Sequence, residues 1–426
     1  MMKESMKSFL QNLKEWMWSL LFVLPYIERG KISDRLKYTS GTIVWRAILT
    51  IELLLLLILI IRKRYFRRHI IKFENRLIIC FSVIITNMVI FGVLNNTLLA
   101  SVNLGMMLMI PLLNAYLVFD ILMQSTLNIQ NVIRKSILAY SFFCIFAIIY
   151  NVKNLGVVLF LGSSLSNIRL SASGGGTVTL GYTMAFVLSF MLVNSECMRK
   201  REVIFCTIVL LMGIILTQDR GAILIIGLDI VYLYLKTDNK TNMLLLGIPT
   251  FIVMLVLFIY VIPSVLHRNI SLSSLFTDDR FSTVCNSLGI WLKKIWSIPF
   301  GFGLNGFFPY QEWLSNVNPE DVYTNIHFNT FYVDGKWLLV QPHSVWVYII
   351  IETGVLGFMT FISVIKGIAC DFVKGSKPVC FLLVCMIAFG FLESTLMLEP
   401  GVACVWYLML FYTILYRKNE NKKGEV

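Results

Sequence analysis

Long apolar segments recur along the whole chain, and each is close to the length of helix needed to cross a bilayer. About 20 mainly apolar residues span the hydrocarbon core. Hydrophobic residues make up 57% of the 426 residues and charged residues only 14%, whereas soluble domains carry about 25% charged residues. The sequence therefore predicts an all-α, polytopic integral membrane protein.

The apolar segments predict about twelve transmembrane helices. No linker or internal repeat divides them, so we read residues 1–426 as a single polytopic domain. Its polar, mildly basic start lacks a small-residue cleavage site, and we expect no removable signal peptide. A short segment, Trp16–Ile27, is the least certain span. The eleven clear spans are predicted at Ile43–Ile61, Leu77–Leu94, Leu98–Leu122, Ser136–Asn151, Thr177–Val193, Val203–Leu216, Ala222–Leu235, Met243–Ile262, Ser344–Ile365, Val379–Leu392 and Val402–Tyr416.

Positive charge is distributed unevenly between the predicted loops. Seven Lys and Arg lie in Arg62–Arg76, and short loops rich in Lys and Arg stay in the cytoplasm. Placing this segment inside puts both termini inside, and the cytoplasmic segments then hold 24 of the 37 Lys and Arg. Topology thus explains the net charge of +13, and no nucleic-acid partner is implied.

One predicted external segment is much longer than the others. Residues 264–342 contain no convincing span, and loops of this length are usually functional. The segment holds a Gly-rich turn, Pro299-Phe-Gly-Phe-Gly-Leu-Asn-Gly306, and it leads directly into a predicted span through Pro342. It can be a structured cap or a lid over an active site, and the sequence leaves both open.

Three external arginines are candidates for binding an anion. Arg220 follows Asp219, which can cap the helix that Arg220 opens. Arg169 precedes a Gly run that can be a hinge or a phosphate cradle, and Arg280 lies in the long loop. Arginine suits phosphate because its planar fork makes bidentate contacts. The alternative for Arg220 is an arginine that snorkels at a helix end.

His343 is the most informative of the four histidines. We predict that it lies in the first turn of the helix after Pro342. A helix N-terminus disfavours the imidazolium, and a neutral imidazole can act as a general base. It can equally be a polar residue that faces water. Glu352 follows nine residues later on the opposite helical face, so we do not pair the two.

Neither the cysteines nor the histidines show the spacing of a metal site. The nine cysteines lie mostly in predicted spans, and the four histidines are dispersed. We therefore predict no metal and no cofactor. Two more charges, Arg46 and Glu52, fall within a predicted span, where such residues usually face the interior of the bundle.

Three segments resemble the O-antigen ligase and polymerase family of bacterial membrane enzymes. One is Thr217-Gln-Asp-Arg-Gly-Ala222, similar to the family's turn with Arg-Gly-Ala. Another is Arg280 followed by Trp291 and Pro299-Phe-Gly-Phe-Gly303. The last is Pro342-His-Ser followed by Glu352-Thr-Gly-Val-Leu-Gly357, similar to its His-Asn or His-Ser opening and its Glu-x-Gly helix. Ser344 stands where many members have Asn.

The resemblance implies a fold like the large-helical-bundle glycosyltransferases and a metal-independent glycosyl transfer at the outer face of the bacterial cytoplasmic membrane. The donor would be a polyprenyl-diphosphate-linked oligosaccharide, with Arg220 and Arg280 as the diphosphate clamp and Arg169 as a weaker third cation. His343 would be the base that activates the acceptor hydroxyl. Other expected partners are membrane lipid and the chain-length regulator and flippase of the same pathway.

Two functions lie within the resemblance and one outside it. A polymerase joins repeat units into a surface polysaccharide, and we favour this function. A ligase transfers the glycan from its carrier to a lipid or protein acceptor. A flippase or other transporter would also have about twelve spans, but it would more often show internal repeats and charges spread through the spans.

Overall fold

A computed structural model describes eleven stretches of the chain. They are residues 2–23, 72–95, 98–161, 177–217, 219–236, 279–304, 330–333, 336–339, 344–372, 376–392 and 400–424.

The described residues are mostly helical. Twelve α-helices and two short strands occur in chain order, with one 3₁₀ turn at Ser195–Cys197. The helices are α1 (Met2–Leu20), α2 (Lys72–Leu94), α3 (Leu98–Gln124), α4 (Ile129–Leu161), α5 (Thr177–Val193), α6 (Lys200–Thr217), α7 (Arg220–Lys236), α8 (Asp279–Lys293), α9 (Ser297–Phe300), α10 (Val345–Cys370), α11 (Lys377–Leu392) and α12 (Pro400–Gly424); the strands are β1 (Thr330–Val333) and β2 (Lys336–Leu339).

The helical membrane class is confirmed, while the number of spans stays a prediction. Nine of the eleven clear spans coincide with described helices, and Ile43–Ile61 and Met243–Ile262 lie outside the described residues. Within the described part, four helices contain segments long and apolar enough to cross a membrane, and two shorter helices are also apolar. The four segments are Lys72–Leu94, Leu104–Gln124, Ile129–Ile149 and Val345–Cys370.

Exposed apolar side chains form stripes on the outside of the bundle. On α6, Ile204, Ile208, Met212 and Ile215 are all at least 41% exposed. Their spacing of four, four and three puts them on one helical face, and a soluble protein rarely exposes so continuous an apolar surface. Lipid is the environment that accommodates such a face.

Aromatic rings pack together where α3 runs along α12, near the start of α2 and the end of α10. The ring centroids of Phe73 of α2, Tyr116 of α3 and Phe411 of α12 lie within 6.2 Å of one another. Phe119 of α3 lies within 6.0 Å of Tyr116 and Phe411, and Phe372 after α10 contacts Phe73, Phe119 and Phe411. Aromatic pairs at this separation add to the stabilisation from burial.

Segments predicted to lie in the cytoplasm contact one another at one end of the bundle. Arg76 at the start of α2 pairs with Asp371 after α10 at 3.1 Å. Arg417 of α12 pairs with Glu196 in the turn between α5 and α6 at 3.0 Å, and Lys236 at the end of α7 reaches the same Glu196 at 3.7 Å. The alternation of the helices therefore brings together the loops that the charge pattern assigns to one side.

The long predicted loop contains regular structure. It includes α8, α9 and an antiparallel pair of strands in which Thr330 faces Leu339 and Val333 faces Lys336. The prediction of a purely helical chain missed this pair. The connection is Asp334-Gly335, a dipeptide typical of two-residue hairpins.

The orientation of the bundle can be tested by labelling single cysteines in a variant without the native cysteines. Asn75 is exposed near the start of α2, in the segment predicted to be cytoplasmic. We expect Asn75→Cys to resist an impermeant maleimide in intact cells and to react after permeabilisation, because short Lys- and Arg-rich loops stay inside. Ser315→Cys, in the long loop, should react in intact cells. The reverse pattern would invert the topology.

Candidate active site at the predicted outer end of the bundle

The Arg220 segment is a tightly packed helix start. Asp219 is 7% exposed, and its Oδ1 accepts a hydrogen bond from the Gly221 backbone N–H at 3.1 Å. This confirms that Asp219 caps the helix that Arg220 opens. A Cβ at Gly221 would collide with the hydroxyl of Tyr182 of α5. The Arg-Gly-Ala sequence thus holds a glycine because a tyrosine crosses it closely.

The His343 segment also leads into a helix, but this helix begins at Val345, two residues later than predicted. Ser344 is the N-cap of α10, and its Oγ accepts from the Val347 N–H at 3.5 Å and donates to the Gly390 carbonyl of α11 at 3.1 Å. His343 therefore directly precedes the cap instead of lying in the first turn. The N-terminus of α10 therefore disfavours the imidazolium of His343 less than predicted.

The N-cap is also compatible with a serine at the position where many members of the family that the chain resembles have asparagine. Serine and asparagine are both preferred at helix N-caps, because each side chain can accept from the free backbone N–H groups of the first turn. A role for this position in holding the start of α10 is compatible with either residue.

The starts of α7 and α10 are linked through one chain of packed aromatics. Tyr182, which crosses Gly221, meets the ring of Phe389 of α11 edge-on at 4.1 Å. The next residue, Gly390, lies against the indole of Trp346, and this indole donates to the Ile387 carbonyl at 2.8 Å. The segments with Arg220 and His343 are therefore at the same end of the bundle, as the sequence predicted.

The Gly-rich turn after α9 is inserted into a break in α10. Gly354, in the middle of α10, has φ 68° and ψ −175°, and Gly301 has φ 74° and ψ −175°. This region of backbone space is essentially restricted to glycine. The Phe302 N–H donates to the Ile351 carbonyl and the Gly303 N–H to the Glu352 carbonyl, both at 2.9 Å. The turn thus takes up carbonyls that the broken helix leaves free.

Side chains from two other helices hold the turn from its other side. Asn87 and Asn95, in and just after α2, donate to the carbonyls of Phe300 and Phe302 at 2.7 and 2.8 Å. Ser101 at the start of α3 donates to the Leu304 carbonyl. Residues Gly301–Leu304 are all buried. This part of the long loop is therefore an integral part of the bundle.

Trp291 connects α8 to the same junction. Its Nε1 donates to the Ser297 carbonyl at 2.8 Å, and the Ser297 hydroxyl donates back to the Trp291 carbonyl at 2.8 Å. Trp291 also packs in a small buried cluster with Phe302 and Ile351. Two segments of the resemblance, the Trp291–Gly303 segment and the Glu-x-Gly helix, are therefore one structural unit.

The predicted site residues are described to different extents. Arg220 is the first residue of α7, and Arg280 is the second residue of α8. Arg169 and His343 lie outside the described residues, as do Arg46 and Glu52. The convergence of the three arginines with His343 thus stays a prediction, while the starts of α7 and α10 lie at the same end of the bundle.

No protein-family model matches the sequence, and no curated protein matches it. The family resemblance thus rests on the three sequence motifs alone.

Asp229 is a buried carboxyl that the sequence analysis passed over. It lies in the middle of α7, is 2% exposed, and sits beside Ser189 of α5 and Cys385 of α11. Ionisable residues inside spans are costly and usually functional. The signal was available, because Asp229 is the only charged residue within the predicted span Ala222–Leu235.

The junction between the Gly-rich turn and α10 makes a stability prediction. We expect Gly354→Ala to destabilise the protein by about 3–5 kcal/mol, because a Cβ would collide with the Pro299 carbonyl and the backbone angles are restricted to glycine. Gly289→Ala on α8 is the matched control. A Cβ there meets nothing within 4 Å, and alanine should stabilise the helix by about 0.5–1 kcal/mol. Equal thermal midpoints for the two variants in detergent would contradict the described junction.

Proposed function

We propose that the chain is a membrane glycosyltransferase that polymerises polyprenyl-diphosphate-linked oligosaccharide repeat units into a surface polysaccharide. The reaction would take place at the outer face of a bacterial cytoplasmic membrane. The observation that carries the proposal is the contact chain from Gly221 through Tyr182 and Phe389 to Gly390 and Ser344. It holds the segments of Arg220 and His343 at one end of the bundle, where a lipid-linked diphosphate and its sugar could reach both.

The proposed reaction is a single displacement at the anomeric carbon. The acceptor hydroxyl oxygen forms a new bond to that carbon, the bond between the carbon and the diphosphate oxygen breaks, and the diphosphate leaves with the bonding electrons. The hydroxyl proton passes to His343 as general base. Arg220 and Arg280, with Arg169 as a third cation, stabilise the negative charge that develops on the diphosphate.

The helix starts support this division of roles. A helix N-terminus presents free backbone N–H groups and positive potential toward an anion. Arg220 opens α7, and Arg280 lies in the first turn of α8, so each arginine stands beside such a terminus. The Gly-rich turn also fixes the position of α8, whose first turn carries Arg280. It holds α8 against α10 close to the start of α10.

Loss of the gene distinguishes the proposed polymerase from its alternatives. In cells that lack a polymerase, long polysaccharide disappears and surface glycan is limited to single repeat units. Loss of a ligase would leave long polymer attached to the lipid carrier, and loss of a flippase would leave unpolymerised units on the cytoplasmic side. We expect the first result, with chain length restored by a plasmid copy; either of the other patterns would replace the proposed function.

A further inference from the structure

Helix α1 carries a continuous apolar stripe that no described part of the chain covers. Its side chains recur at spacings of three and four residues, which places them on one face of the helix. Each is at least 46% exposed. The stripe consists of Met6, Phe9, Leu10, Leu13, Met17 and Leu20.

The opposite side of α1 is fixed to the bundle. Glu15 is 3% exposed and pairs with Lys135 of α4 at 2.6 Å. The Ser19 hydroxyl lies 3.1 Å from the Val132 carbonyl of α4, at hydrogen-bond distance, and the Lys135 ammonium lies 5.6 Å from the Trp16 ring centroid. These contacts set the rotation of α1 about its axis, so the stripe must point away from the bundle.

The contacts that fix α1 to α4 lie where a lipid-facing surface of α4 begins. On α4, Lys135 is followed by Phe142, Phe146 and Ile149 at spacings of seven, four and three, so the four residues share one helical face. The three apolar residues are 56%, 59% and 64% exposed. Helix α1 therefore meets α4 where the lipid-facing stripe of α4 begins, and the exposed apolar surface continues from one helix to the other.

The composition of α1 suits the membrane surface better than its interior. Five of its 19 residues are charged, and it does not qualify as a span by length and apolarity. Lys3, Lys7 and Lys14 recur at spacings of four and seven, which fall along one side of a helix, and Lys14 is exposed. A helix with an apolar face and basic residues beside it lies in the interface and is attracted to anionic lipids.

We propose that α1 is an interfacial helix that binds anionic lipid in the leaflet where α4 begins, with the Met6–Leu20 stripe inserted among the acyl chains. In the predicted topology this is the cytoplasmic leaflet. The proposal concerns the lipid contacts of the bundle and does not depend on the proposed glycosyl transfer.

Fluorescence quenching in proteoliposomes tests the insertion. Phe9→Cys and Gln11→Cys are each labelled with an environment-sensitive dye in a variant without the nine native cysteines. Gln11 is exposed and lies about 200° around the helix from Phe9. We expect lipids with a spin label on the acyl chain to quench the dye at position 9 at least about twofold more than at position 11, and iodide to show the opposite preference.

Two results would overturn the insertion of the stripe into lipid. One is equal access of iodide to both positions, which would leave the stripe in water. The other is protection of position 9 from both quenchers together with a disulfide between two chains through Phe9→Cys, which would assign the stripe to a second copy. Monodisperse purification of each variant establishes that the bundle is folded.

The lipid charge is tested with the same dye at position 9. Vesicles of phosphatidylcholine alone are compared with vesicles containing one-third phosphatidylglycerol. Quenching by spin-labelled lipid should rise with the anionic lipid, and replacing Lys3, Lys7 and Lys14 by Gln should remove that rise. Insertion that is independent of both changes would exclude recognition of anionic headgroups.

Discussion

Replacing His343 by alanine should lower turnover by about 10²–10⁴-fold, the usual contribution of a general base, while the lipid-linked donor still binds. A sugar hydroxyl is a poor nucleophile unless a base takes its proton in the transition state. His343 directly precedes the cap of α10, at the same end of the bundle as the start of α7. The measurement is polymer formation from purified lipid-linked donor by reconstituted protein, with donor binding measured in parallel.

His267→Ala is the matched control, because it changes a histidine in the predicted external loop that leads to His343. It should leave turnover within about twofold, which is small against the loss expected for a general base. Full turnover in the His343→Ala variant would show that His343 is not the base. The candidates for the base would then be the external carboxylates Asp219, Asp278 and Asp279.

Replacing Arg220 by alanine should reduce glycan assembly by about 10²–10³-fold, the typical loss when one stabilising group is removed from a developing anion. Arg220→Lys should restore activity only in part, because an ammonium lacks the bidentate fork of the guanidinium. The comparison needs equal amounts of each variant in the membrane. Asp219 and Tyr182 pack the backbone at this helix start, so the fold should survive the substitution.

Arg201→Ala provides the control for a general effect of lost charge. Arg201 is exposed at the beginning of α6, and Arg220 follows the other end of this helix. The length of α6 therefore separates the two arginines. We expect normal polymer from this variant. Normal polymer from Arg220→Ala as well would exclude the clamp, and disappearance of that variant from the membrane would instead support a structural arginine.

Span positions were predictable where an apolar segment ends at polar residues. Helix α5 has the predicted bounds, Thr177–Val193. Helix α4 was predicted to be much shorter, because its polar first turns were read as a loop. In the structure Arg134 makes a bidentate ion pair with Glu202, and Lys135 pairs with Glu15. Charges that are satisfied by partners far along the chain allow a helix to continue where hydropathy falls.

The segment Trp16–Ile27, the least certain of the predicted spans, is described only as far as Val23. Its first residues belong to α1, which starts at Met2 and repeats its apolar residues with the period of an amphipathic helix. The prediction from continuous apolar runs missed this amphipathic pattern. It is visible in the sequence at Met6, Phe9, Leu10 and Leu13.

The break in α10 could not be predicted from local sequence. Glu352-Thr-Gly-Val-Leu-Gly357 reads as a helix that contains glycines, and a lone glycine inside a helical pattern is usually tolerated. The turn that enters at Gly354 comes from Pro299–Gly303, about 50 residues earlier. The candidate site depends on this long-range pairing. In the sequence, only the order of the motifs indicated that the two segments pair.

The most direct test of the account uses purified protein in liposomes with a polyprenyl-diphosphate-linked oligosaccharide and excess EDTA. We expect a ladder of glycan products, with one polyprenyl diphosphate released for each linkage formed, in the wild-type protein and in the Arg201→Ala variant. The Arg220→Ala and His343→Ala variants should bind lipid and remain folded but form almost no ladder. A wild-type protein that is folded and correctly oriented, yet forms no linkage and releases no diphosphate, would contradict the proposed glycosyl transfer.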